Sequence, residues 1–211
     1  VDKERDVPPP PEAKLTTSIE DLVGDPELDI VVELIGGMDA AHELIIKDLE
    51  NGKSVVTANK ALLAEHGTEL FRLAADRGAK LAFEASIAGG IPIVKTLKES
   101  LAGNRIKSLT GILNGTDNYI LSEMTDRGIS FQEALTQAQE LGYAEADPSL
   151  DVDGYDAAHK LTVLIRLASG KDYPYADLSV QGIRGVEAYD IKRARDFGYH
   201  IKLIAQLKDR S

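Results

Sequence analysis

The sequence predicts an α/β chain in two parts: a parallel sheet with crossover helices, followed by an α+β half built on a mixed sheet. Three observations carry this. Short apolar runs alternate with helical periodicity from Leu28 to Phe83. The turns between them are brief and marked by glycine, as at Gly36-Gly37 and Asn51-Gly52. After Ala88-Gly89-Gly90 the pattern changes to longer helices separated by few strands. Alternation with short connections is what parallel strands joined by helices require.

The elements follow in order. The run Pro8 to Pro11 cannot be helical and reads as an extended link. Thr17 to Leu22 is a short helix signal opened by hydroxyl residues. Leu28 to Ile35 is nearly continuous in apolar residues, as in a strand buried on both faces. Ala40 to Leu49 has helical spacing, Ser54 to Thr57 is a second strand, Ala61 to Ala75 a second amphipathic helix, and Lys80 to Phe83 a third strand. In the second half, helices are expected at Ile93–Leu101, Tyr119–Arg127, Phe131–Leu141, Asp156–Ser169 and Val186–Phe197. Strands are expected at Ile106–Leu113, Leu178–Val180 and Ile201–Leu207.

Composition narrows the function classes. A length of 211 residues suffices for one large domain or two small ones, each with a core. No cysteine is present, so thiolate chemistry and disulfides are excluded. A net charge of −11 argues against nucleic acid and anionic membranes as partners. No apolar run is long enough to cross a bilayer. A cytosolic protein is the expectation.

The segment Gly142 to Lys160 concentrates the chemistry. Glu145, Asp147, Asp151, Asp153 and Asp156 crowd a loop that runs into an apolar helix bearing Lys160. Like charges this close repel, and a half-buried lysine loses hydration, so the arrangement calls for a ligand. Asp156 and Lys160 are four residues apart and share a helix face. Taken alone, that spacing most often means a surface ion pair, with Asp153 and Asp156 capping the helix. The acidic loop can serve a substrate ammonium, or Asp147, Asp151 and Asp153 can supply oxygens to a divalent ion, although the spacing is not that of an EF-hand. Asn59-Lys60 follows the second strand, at the strand end where ligands bind in open α/β sheets, and Asn59 is equally placed to cap the next helix. Asn114-Gly115-Thr116 reads as a turn. His42, His66, His159 and His200 show no zinc-motif spacing and read as structural, His159 lying about 100° round the helix from Lys160.

Taken together, Val32-Glu-Leu-Ile-Gly-Gly37, Val55-Val-Thr-Ala-Asn-Lys-Ala-Leu-Leu63, Phe83-Glu-Ala-Ser-Ile-Ala-Gly-Gly-Ile-Pro-Ile93, Gly111-Ile-Leu-Asn-Gly-Thr-Asp-Asn-Tyr-Ile120 and the Gly142–Lys160 segment resemble, in order and spacing, the homoserine dehydrogenase family. The resemblance runs from about Asp29 to about Ala205. It implies a partial Rossmann-like nucleotide-binding domain over residues 1–82 and a catalytic and dimerisation domain over 83–211. It implies reversible reduction of L-aspartate 4-semialdehyde to L-homoserine with NAD or NADP, in a homodimer or higher homo-oligomer. Lys160 and Asp156 become catalytic residues. Lys60 lies at the cofactor–substrate junction and Gly142 against the cofactor. Glu145, Asp151, Tyr143 and the Asn114-Gly115-Thr116 turn, Gly115 and Thr116 above all, face the substrate. Glu84, Ile87, Gly89 and Ile91 hold a sodium or potassium ion, mainly through backbone carbonyls. No Gly-x-Gly-x-x-Gly occurs, so these residues alone are not expected to hold a dinucleotide.

Overall fold

The computed structural model describes residues 12–209, so the proline run Pro8–Pro11 lies outside the described residues. These residues form two compact units that divide between Ile93 and Val94.

The first unit contains a three-stranded parallel sheet in the order β1 (Ile30–Glu33), β2 (Ser54–Thr57), β3 (Leu81–Ala82). Val31 pairs with Val55, and Val55 with Leu81. A short helix, α1 (Ile19–Val23), is capped by the Ser18 hydroxyl. The crossovers are α2 (Asp39–Glu50) and α3 (Lys60–Arg77). Both present an apolar stripe, Leu44, Ile45 and Leu49 on α2 and Leu62, Leu63 and Leu70 on α3, all buried. Each such side chain contributes about 1.5–3 kcal/mol by leaving water. α3 stops at Gly78, whose φ of +66° suits a residue without a Cβ.

The first strand departs from its expectation. Val31 and Glu33 are buried, but Ile30 is 61% and Val32 59% exposed, because α2 and α3 cover one face only. The strand is also shorter than the apolar run. The Glu33 carboxylate accepts the backbone N–H groups of Ile35 (2.7 Å) and Gly36 (3.2 Å), which turns the chain away from the sheet.

In the second unit, β4 (Ser108–Gly111) pairs antiparallel with β5 (Ala205–Lys208), Leu109 facing Leu207. The helices are α5 (Gly115–Arg127), α6 (Phe131–Glu140), α7 (Ser149–Val152), α8 (Tyr155–Ser169) and α9 (Ala188–Asp196). Ile120, Leu121 and Met124 of α5 pack with Ala134, Leu135 and Ala138 of α6, with Val152, and with Ile191 of α9. Leu161 and Ile165 of α8 pack on Ala205, Leu109 and Leu207. α8 is therefore buried on several sides. Among the described residues no helix is long and apolar enough to cross a membrane.

Three further expectations fail in this unit. Ile93–Leu101 is not one regular helix: α4 (Ile93–Lys95) gives way to a π-helical stretch, Thr96–Ser100, closed by Leu101 N–H to Thr96 C=O at 2.9 Å. Leu178–Val180 is not a strand. Leu178 donates its N–H to Tyr175 in a turn and packs its side chain under α8 instead of joining a ladder. Asp153 does not cap α8, whose first turn is preceded by Gly154 at φ +85°; its carboxylate pairs with Arg184.

A backbone interlock fixes the acidic loop from behind. Ile183 N–H donates to Val152 C=O at 2.8 Å. A Cβ built on Gly182 would lie 2.3 Å from Val152 O and 2.5 Å from Asp153 Cα, so no side chain fits there.

Candidate active site

Lys160 projects from the second turn of α8. Its Nζ donates to Asp156 Oδ2 (2.7 Å) and to the backbone carbonyl of Leu113 (2.8 Å). The lysine side chain is 18% exposed and that of Asp156 7%. This is a half-buried, hydrogen-bonded pair, unlike the solvated surface pair that the spacing alone suggests.

Asn114 is the centre of the site; the resemblance sets its turn against the substrate, but sequence reasoning missed its role in joining the site's carboxylates. Its Oδ1 caps α5 by accepting Asp117 N–H at 2.8 Å. That fixes the amide orientation, so Nδ2 faces the other way and donates to both Asp151 (2.6 Å) and Asp156 (2.8 Å). One buried amide therefore joins the helix start to two carboxylates from distant parts of the chain. The available signal was its place directly before a helix, where a capping asparagine is common.

These groups open into a cleft of about 540 Å³ whose walls include Gly115, Thr116, Tyr143, Asp151, Asp156 and Lys160. Six of the sequence-derived candidates thus converge. The Thr116 hydroxyl donates to Tyr143 C=O at 2.7 Å, which ties the loop to α5. Gly142 and Glu145 are exposed and are not part of the cleft wall. Asp147 turns back on its own loop, accepting from Ser149 N–H and Oγ at 3.1 and 2.6 Å. A larger cleft of about 600 Å³ runs along β5 and another side of α8, lined in similar measure by aliphatic residues such as Leu161 and Ile165 and by polar ones such as Asp177, Gln181 and Gln206, and it holds none of the candidate residues.

Asp117 is the second residue that sequence reasoning missed. It is fully buried, and neither carboxylate oxygen has a hydrogen bond. Burial pushes its pKa up to about 7, the charges of Asp151 and Asp156 push the same way, and Lys160 opposes them. Arg184 is the third. Its guanidinium donates to both oxygens of Asp153 (2.5 and 3.1 Å) and to Ser149 Oγ (3.0 Å), bracing both ends of α7, which carries Asp151.

The first unit holds the remaining candidates. Lys60 opens α3 at the carboxyl end of β2. Asn59 takes the capping role: Oδ1 accepts Leu62 N–H (3.1 Å), while Nδ2 donates to Gly37 C=O (2.6 Å). Thr57 Oγ1 donates to the buried Glu33 at 2.5 Å, so the ends of β1 and β2 are tied together beside Lys60. Glu84, Ile87, Gly89 and Ile91 belong to a tight turn that begins with a 3₁₀ segment, Glu84–Ser86. Ala88 and Gly89 both have φ of +57°, a conformation uncommon for a residue that carries a side chain, as Ala88 does. Backbone carbonyl oxygens are neutral hard donors, the chemistry that would suit a hard, singly charged ion. Glu84 and Ile91 carbonyls already accept N–H groups, from Ile87 (3.3 Å) and Ile93 (2.8 Å), and each keeps a second lone pair.

Comparison with known proteins agrees with both units. The family model for the homoserine dehydrogenase NAD-binding domain matches residues 3–84, and the model for homoserine dehydrogenase matches residues 92–210. A homoserine dehydrogenase of Synechocystis is 52% identical over 205 residues, spanning 97% of this chain and 47% of that protein. One from Pseudomonas aeruginosa is 52% identical over 188 residues, 89% of this chain and 43% of the relative. The crystal structure of a homoserine dehydrogenase from Thiobacillus denitrificans superposes with a TM-score of 0.90 at 50% identity, covering 93% of this chain and 46% of that one. A hyperthermophilic archaeal homoserine dehydrogenase in complex with NADPH gives 0.80 at 32% identity, covering 92% and 57%. The chain spans about half the length of the curated relatives it matches. On these matches, the chain belongs to the homoserine dehydrogenase family.

Proposed function

We propose that this chain carries the substrate site of a homoserine dehydrogenase, interconverting L-aspartate 4-semialdehyde and L-homoserine. The observation that supports it most is the Asn114–Asp151–Asp156–Lys160 network on the wall of one cleft. A bound NAD or NADP supplies the hydride that goes to the aldehyde carbon. The protein's task is then the oxygen. Lys160 commits two N–H donors to Asp156 and Leu113, and its third donor serves the carbonyl oxygen. It stabilises the negative charge that develops there and passes on a proton, giving the alcohol. Asp156 holds the ammonium in place through its 2.7 Å hydrogen bond.

Asp151 is the carboxylate on the cleft wall for the substrate's α-ammonium, with Tyr143, Gly115 and Thr116 around it. Glu145, on the exposed loop, is the second carboxylate for that ammonium in this reading. Lys60, at the tied ends of β1 and β2, serves the nicotinamide end of the cofactor, and Gly142 is a second cofactor contact in this reading. The residues present thus suit the ring end of the cofactor, while the sequence offers no glycine-rich turn for its pyrophosphate. Carbonyls of Glu84, Ile87, Gly89 and Ile91 would hold a sodium or potassium ion that orders the turn. Residues 83–211 also make the homodimer contact in this reading, which suits a sheet of only two described strands, marginal by itself.

Lys160→Ala in the complete protein tests the reading. Turnover with homoserine and NAD(P) is expected to fall about 10²–10⁴-fold, with homoserine binding changed less. Near-native turnover would overturn it.

A further inference from the structure

His42 and His66 show no metal spacing in sequence, being far apart on separate helices. The packing of α2 on α3 brings them together with Glu69. Among the described residues, one group of histidines and carboxylates places three donor atoms within 4.8 Å of one another, and it is this one. His42 Nε2 lies 3.2 Å from Glu69 Oε2, and His66 Nδ1 lies 3.9 Å from the same oxygen. The two imidazole rings stack, with centroids 4.2 Å apart and planes inclined by 30°.

We propose that His42, His66 and Glu69 form a three-ligand site for a borderline divalent metal ion of the zinc, cobalt or nickel class. Bonds of 2.0–2.1 Å in tetrahedral geometry set neighbouring donors about 3.3–3.4 Å apart. The His42–Glu69 separation already meets this, and the other distances need to close by about 1.5 Å at most. The side chains are 24%, 39% and 51% exposed, so they have room to turn. Their backbones do not move with them. Ala41, Leu44, Leu63, Gly67 and Leu70 are buried beside them, which holds the two helices as a fixed frame. Two neutral imidazoles and one carboxylate are the donors that this class of ion prefers, and the protein's net charge of −11 draws cations to its surface. A metal here exchanges the ring stack for two coordinate bonds. It leaves a fourth position to water and staples α2 to α3 across the first unit.

The test uses the full-length protein without a histidine tag, stripped with EDTA and titrated with Zn²⁺ alone by calorimetry, and with Co²⁺ by visible absorption. One saturable site per chain is expected, with a tetrahedral cobalt spectrum and a rise in melting temperature that EDTA reverses. His42→Gln, His66→Gln and Glu69→Gln should each weaken binding at least about 10-fold, while His200→Gln leaves it unchanged. The glutamine variants keep helix propensity and polarity, and circular dichroism checks that each is folded. Absence of a saturable site, or equal affinity in the folded His42→Gln and His66→Gln variants, would overturn the proposal. None of these readouts depends on dehydrogenase activity.

Discussion

Asn114 and Asp156 are 42 residues apart in sequence and 2.8 Å apart in space, joined by an amide whose other end is occupied by a helix cap. The acidity of the loop is therefore organised by a neutral residue. Asp151 and Asp156 share one donor group, and Lys160 approaches Asp156 from its own helix.

Removing that amide is costly. Asn114→Ala loses the cap of α5 and strips a donor from two carboxylates, one of them buried. A cap is worth about 1 kcal/mol and a hydrogen bond to a charged group about 1.5–3 kcal/mol. Urea unfolding of the complete protein is expected to show a loss of about 2–4 kcal/mol, well above that of Ser130→Ala, which removes a cap and nothing else. Equal losses in the two variants would mean that Asn114 acts as a cap alone.

Asp117 makes stability depend on pH in the direction opposite to most carboxylates. Its folded pKa, about 7, exceeds its ordinary value of 3.8, so the folded state binds the proton more tightly. Stability is then full below about pH 4 and falls as pH rises to about 7, beyond which the loss is constant. Asp117→Asn removes this term. Its stabilisation should be about 2–3 kcal/mol larger at pH 8 than at pH 5, read from melting curves at both pH values. A pH-independent effect would show that Asp117 carries its charge at little cost.

Arg184 touches no cleft wall, yet it braces α7 through Asp153 and Ser149. Its pair with Asp153 is about half exposed, so the effect is modest and sensitive to salt. Arg184→Ala is expected to raise KM for homoserine roughly 2–5-fold with a smaller change in kcat. Arg184→Lys should recover part of it, and 1 M salt should shrink the difference. A change confined to kcat would argue against positioning of Asp151.

The turn from Glu84 to Ile91 predicts an ion requirement. At matched ionic strength, the complete enzyme should run faster in sodium or potassium than in a bulky organic cation. Equal rates in all three would leave the turn with a purely structural role.

Local features were legible in the sequence and long-range ones were not. α2, β2 and α3 follow from periodicity because their partners are each other. The Asp156–Lys160 pair follows from four-residue spacing on a helix. Asn114 was hidden because its two acceptors come from α7 and α8, and capping spacing explains its neighbour Asp117 equally well. Asp117 has the position of a capping-box acid, but its carboxylate stays unpaired. The exposed face of β1 was misread because an apolar run reports what a strand can bury, not what covers it. Leu178 was misread for a related reason: its apolar side chain reports a place in the core and says nothing about a strand partner.

The contact behind the acidic loop bears on how the site could be altered. Gly182 meets Val152 and Asp153 backbone to backbone, with no volume left between them. Any larger residue at position 182 must displace α7 as a body, and Asp151 travels with it. A redesign for a bulkier or differently charged amino acid would ordinarily start from the cleft walls. Here the adjustment screw sits outside the cleft, at a position that has no side chain, and its finest available step is a single methyl group.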